Sequence, residues 1–120
     1  MGNTASRSRR GRDRETDVRD LLGELGWLAV RAASGFVDVL ALAGEGATHP
    51  VYGEPTRFDS RWGPLVIQVK STQQSPYERF GPAGRTALVN AADNCRAHAW
   101  LVWWPPGRQP QWIHPHEWPT

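Results

Sequence analysis

The chain has 120 residues, 39% of them apolar and 22% charged, which suffices for one domain with one core and is too short for two. Nowhere do apolar residues reach the roughly eighteen in a row that a membrane-spanning helix needs, and a single cysteine, Cys95, excludes an internal disulfide and a cysteine-based zinc site. The formal charge of +2 hides an asymmetry: residues 1 to 14 hold five arginines against Asp13, a net of +4, while the remainder holds nine cations and eleven anions, a net of −2.

In chain order, residues 1 to 14 read as a basic, flexible N-terminal arm, either a surface for a polyanion or a solvated tail. No hydrophobic run follows its basic residues, so it does not read as a secretory signal, and a reducing cytoplasm is the expected setting. Residues 15 to 120 read as a single domain. Val18, Leu21, Leu22 and Leu25 recur at i, i+3, i+4 and i+7, one face of an amphipathic helix that Gly26 is placed to stop. "WLAVRA" predicts a first strand, Ser34-Gly35 a turn, and "FVDVLAL" a second strand. Residues 43 to 63 are rich in Gly and Pro and read as a long hairpin connection. "PLVIQVKST" predicts the third strand and "TALVNAADNCRAHA" the second helix, with Ala87, Leu88, Ala91, Ala92 and Cys95 on one face. "AWLVWW" predicts a fourth strand and "QWIHP" a short fifth. This order implies an α/β fold, one mixed sheet with a helix on each side.

The third strand carries Lys70, the one lysine in a chain with thirteen arginines. Side chains alternate along a strand, so Gln68 and Lys70 share a face. Asp38 interrupts the apolar second strand. A buried lone carboxylate and a buried lone lysine are each costly, so two on adjacent strands of one hairpin predict a shared site. An ion pair without chemistry would satisfy the same rule. Glu15 at the start of the first helix is placed to approach the sheet.

These residues resemble a known family. An acidic residue on one strand, a hairpin, and a next strand ending in acid-x-Lys form the core of the PD-(D/E)XK nucleases. The closer likeness is to the archaeal Holliday-junction resolvases, and it spans "RGRDRETDVRDLLGELGW", "VRAASGFVDVLAL" and "LVIQVKST". Arg10, Gly11 and Glu15 match the family's opening motif. Arg31 to Gly35 with Asp38 match its loop and metal-binding aspartate, and "QVKS" matches its Glu-Val-Lys-Ser strand. Two positions depart from the pattern: Val37 stands where proline precedes the aspartate, and Gln68 stands where the family has glutamate. Glutamine offers an oxygen but no charge.

The resemblance implies a restriction-endonuclease-like domain over residues 15 to 120 and Mg²⁺-dependent cleavage of four-way DNA junctions by a homodimer, with Mn²⁺ as a possible substitute. It implies Glu15, Asp38, Gln68 and the Val69 carbonyl as metal ligands. Lys70 would assist catalysis as a compact ammonium whose pKa falls readily on desolvation, a role that a permanently charged, forked arginine fills badly. Arg7, Arg9, Arg10, Arg12, Arg14, Arg31 and Ser34 are the expected DNA contacts. Two alternatives stay open: a same-fold nuclease with another DNA substrate, and a DNA-binding protein that lost cleavage with its glutamate. His114 and His116 form a weaker transition-metal candidate in what reads as an exposed tail, and Trp103 and Trp104 with the second helix are candidates for a dimer interface.

Overall fold

The computed structural model describes residues 2 to 33, 35 to 55 and 59 to 119, and of residues 2 to 12 the backbone alone. Ten elements follow the expected order: α1 (Gly2–Glu24), β1 (Trp27–Arg31), β2 (Val39–Ala43), a 3₁₀ turn (Ser60–Trp62), β3 (Leu65–Lys70), a second 3₁₀ turn (Pro76–Glu78), α2 (Pro82–Asn94), β4 (His98–Trp103), β5 (Gln111–Ile113) and a third 3₁₀ turn (Pro115–Glu117). The strands form one mixed sheet in the order β1-β2-β3-β4-β5, antiparallel except for the parallel pair β3–β4.

The two helices cover opposite faces. Val18 and Leu22 of α1 pack on Val39, Ala41, Leu65, Ile67, Val69, Trp100 and Val102. Leu88 and Ala92 of α2 pack on Val66, Ala99, Leu101 and Ile113. Residues 65 to 69 of β3 are accordingly buried on both faces, as a central strand with a parallel neighbour should be. Each fully buried leucine among these contributes roughly 1.5–3 kcal/mol of hydrophobic stabilisation.

The connection between β2 and β3 folds back on the end of α1. Gly26 ends that helix at φ +92°. Gly44 N–H donates to its carbonyl at 3.0 Å, and a Cβ on Gly44 would lie 2.5 Å from that oxygen. Trp27 Nε1 donates to the Thr48 carbonyl at 2.8 Å and Trp62 Nε1 to the Ala47 carbonyl at 2.7 Å. The tryptophans therefore tie this segment down by donating to backbone that no strand satisfies.

The structure moves several expected boundaries. Helix α1 takes in residues 2 to 14, the stretch expected as a flexible arm; Arg and Ala there are good helix formers. β2 begins at Val39, so Asp38 sits on a bend at its entrance and not within it. α2 begins at Pro82, a residue favoured at a helix's first position, and it ends at Asn94. Cys95, expected on the packed face, is therefore an exposed cap residue.

His49 is buried among Trp27, Tyr52, Trp62 and Trp100. Its Nδ1 accepts the backbone N–H groups of Val51 and Tyr52 at 3.0 and 3.3 Å, so the proton lies on Nε2. Burial, then the Arg61 charge, pushes its pKa down to about 4. An unfolded chain binds that proton near pH 6.5, so His49's contribution is whole above pH 6.5 and is lost as pH falls toward 4. We expect acid destabilisation of about 3 kcal/mol over that range, read from melting curves, and a much shallower loss in His49→Gln. Parallel pH profiles for the two proteins would contradict this.

Candidate active site

Three segments converge at the C-terminal end of β3. Asp38 Oδ2 accepts two hydrogen bonds there, from Val69 N–H at 2.7 Å and from Gln68 Nε2 at 2.8 Å. Asp38 N–H in turn donates to the Ile67 carbonyl at 2.9 Å, and its carbonyl accepts from Ala32 N–H at 2.8 Å. The entrance to β2 is thus stitched to both flanking strands, and the Asp38 side chain is fixed toward β3. A carboxylate can only accept, so Gln68 must present its NH₂ to Asp38. The Gln68 carbonyl oxygen takes no hydrogen bond from a described residue.

Glu15 reaches the same point from α1. It stands three and seven residues before Val18 and Leu22, both fully buried, so the helix face that packs on the sheet also presents Glu15. Its carboxyl lies close enough to Asp38 for the two groups to influence each other's titration. Arg31 closes over it, with Nη2 at 3.5 Å from Glu15 Oε2 and Nη1 donating to Thr16 Oγ1 at 3.3 Å.

The electrostatics follow from this crowding. The Glu15 pKa is raised, first by burial and then by the Asp38 charge, with Arg31 and Lys70 opposing. The Asp38 pKa is raised by burial, against the pull of the Val69 N–H and the Lys70 charge. The Lys70 pKa is lowered by burial first; the two carboxylates oppose that shift and the Arg79 charge adds to it. All three groups are thus held toward their neutral forms at one place, the pattern expected where titratable groups do chemistry.

Of the residues singled out in the sequence, Glu15, Asp38, Gln68, Val69, Lys70 and Arg31 come together. Arg14 does not join them: its guanidinium lies 4.7 Å over the Trp104 ring, donates to the Pro105 carbonyl at 3.3 Å and pairs with Asp17 at 3.2 Å. Ser34 and the side chains of Arg7, Arg9, Arg10 and Arg12 lie outside the described residues. Trp103 and Trp104 are half-buried, and Trp103 Nε1 donates to the Thr72 carbonyl at 2.7 Å. His114 caps the third 3₁₀ turn, with Glu117 completing a capping box, so this segment is an ordered turn and not a tail. Arg79 was missed by sequence reasoning. It lies between the second 3₁₀ turn and α2, in a stretch without periodicity to mark it.

Glu15 and Asp38 are the oxygen donors a hard cation takes. Among the described residues no group of three or more His, Cys, Asp or Glu could hold a metal, so further donors would have to be neutral oxygens or water. Burial raises both carboxyls and the Asp38 charge raises Glu15 further, and a dication bound between them would offset both effects. The residues fit Mg²⁺, which binds through one or two carboxylates and keeps several waters.

No protein-family model matches this sequence. No curated protein matches it either. Among solved structures it is similar to Hjc, a Holliday junction resolvase from the archaeal hyperthermophile Archaeoglobus fulgidus. The two share 20% sequence identity and a TM-score of 0.63, over 89% of this chain and 74% of that one. The chain thus has the restriction-endonuclease-like α/β fold of an archaeal resolvase, the architecture that its three motifs implied.

Proposed function

We propose that the chain is a Mg²⁺-dependent endodeoxyribonuclease that cuts branched DNA, four-way junctions above all, as a homodimer. The observation that carries this reading is the meeting of Glu15, Asp38 and Lys70, from three separate segments, at one strand end of a fold shared with a junction resolvase.

Glu15 and Asp38 would hold the ion, with the Gln68 and Val69 carbonyls as neutral ligands; Mn²⁺ would serve in its place. Bound there, the ion supplies charge that polarises the phosphoryl oxygen and acidifies water. Lys70 is half-buried with a lowered pKa, so it can give or take a proton beside the attacking water. The basic residues before Glu15 add phosphate contacts on the same helix. Incubation of a labelled four-way junction with Mg²⁺ tests the reading. Symmetric cuts near the branch support it. Cuts elsewhere mark another nuclease, and binding without cuts marks a DNA-binding protein. Lys70→Ala and Asp38→Ala should each lower the cleavage rate by about 10² or more while leaving junction affinity largely intact. Near wild-type cutting in either would overturn the site.

Gln68 gives a graded test. Gln68→Glu adds a charged ligand, so half-maximal cleavage should need roughly tenfold less Mg²⁺ if the gain is about 1.4 kcal/mol. The same change replaces an amide donor to Asp38 with a third carboxylate, so the metal-free protein should melt lower. Gln68→Ala should need more metal or be inactive. An unchanged Mg²⁺ requirement in Gln68→Glu would show that Gln68 is not a ligand.

For the dimer, the favoured surface is the β1–β2 face that α2 leaves bare. Leu28 pairs with Leu42 and Val30 with Leu40, and these four are 66%, 53%, 48% and 41% exposed in that order of naming. Such a patch measures on the order of a few hundred Å², and a stable interface needs roughly 800 Å² per partner, so β1's open edge would contribute as well. Leu42→Glu should yield a monomer in sedimentation that nicks junctions without making paired cuts. A dimeric Leu42→Glu protein would place the interface elsewhere.

A further inference from the structure

A cavity of 360 Å³ opens beside the catalytic cluster on the α2 side of the sheet. Its walls include Phe36, Phe80 and Pro82, and its polar groups are Gln68, Lys70 and Arg79. Gly35 and Gly81 line it without crowding it: a Cβ on either would meet nothing within 4 Å.

We propose that this cavity receives one nucleotide drawn out of the DNA stack, its base against Phe36 and beside Gln68, its phosphate between Lys70 and Arg79. The inference rests on the DNA-cleaving reading above and names the part of the substrate that the site selects.

Four features point to a nucleotide. Lys70 and Arg79 are two cations lining one cavity, a pairing that an anion between them would satisfy. Phe36 is a large aromatic left 52% exposed at the cavity wall, and base–aromatic stacking tolerates every base. Gln68 is only 7% exposed and its NH₂ is committed to Asp38, so it presents a fixed polar edge at the cavity wall. The volume falls within the usual range for small-molecule sites.

The arrangement also accounts for a preference for branches. Drawing a base out of a duplex costs a few kcal/mol, and least where pairing is already broken. A cavity that must be filled before the strand is seated for cutting would therefore select the centre of a branched structure over plain duplex.

Two measurements test it. First, deoxyadenosine monophosphate is titrated into the isotope-labelled protein while backbone amide signals are followed. Saturable shifts at Gly35, Gly81, Ala83 and Gly84 are expected in wild type, and their loss in Ala83→Trp, whose indole would fill the cavity. Second, a junction carrying 2-aminopurine at successive positions flanking the branch is bound in EDTA, where no cutting occurs. Fluorescence should rise at one position with wild type and not with Ala83→Trp. In Mg²⁺, Ala83→Trp and Phe36→Ala should each cut the junction roughly tenfold more slowly or worse, the loss of about one base-stacking contact. Phe36→Ala also serves if the indole disturbs α2, which a melting curve would reveal. Absence of both amide shifts and brightening, or wild-type cutting in both variants, would overturn the proposal. If wild type cuts junctions but shows neither signal, the nuclease reading stands and the cavity reading falls. If wild type binds junctions without cutting, the nuclease reading falls and the fluorescence still decides the cavity.

Discussion

One carboxylate oxygen organises this molecule. Asp38 Oδ2 takes a backbone N–H from Val69 and an amide N–H from Gln68, and with those two donors a half-buried carboxylate becomes tolerable. The bonds lock the entrance of β2 to the end of β3. The register Val39↔Ile67 then places Leu65, Ile67 and Val69 under α1, and places Gln68 and Lys70 on the opposite side. A shift of one residue would exchange those faces, so the hydrophobic core and the reactive groups are specified by the same pairing. Glu15 depends on that register as well, because the sheet face built by Ile67 and Val69 is where Val18 and Leu22 seat the helix that carries it.

The cluster sets stability against chemistry. For the two carboxyls and the lysine alike, burial penalises the charged form, so carrying charge there comes at some cost to the fold. Sites of this kind are kept by a core strong enough to tolerate them. Here that core is two layers deep, one on each side of β3, and the buried aromatic cluster around His49 braces the far end of the sheet.

Much of this was legible in the sequence because it depends on periodicity. The five strands, the two helices and their opposite faces follow from apolar spacing, and Asp38 and Lys70 stood out as charges inside apolar runs. The start of α2 was not legible, since Gly81-Pro82 reads equally as loop and as helix entry. The hydrogen bond from Gln68 to Asp38 was missed because side-chain direction at a bend follows from geometry and not from residue type. Arg14 belonged by charge to the N-terminal arm, yet its place one turn before Val18 puts it within reach of Trp104. Arg79 and the cavity arise where β3, the Gly35 turn and α2 meet, and no local pattern records that meeting.

The solitary lysine has a consequence for covalent modification. The protein has one ε-amine, and the same burial that lowers its pKa leaves a larger share of it unprotonated and nucleophilic. Acylating agents that pass over ordinary protonated lysines are thereby directed to Lys70. In most proteins lysine acetylation is spread over many harmless surface positions. In this one the only side-chain amine available to it sits beside Asp38 and Glu15 in the candidate site, so every such event would report on, and alter, that cluster.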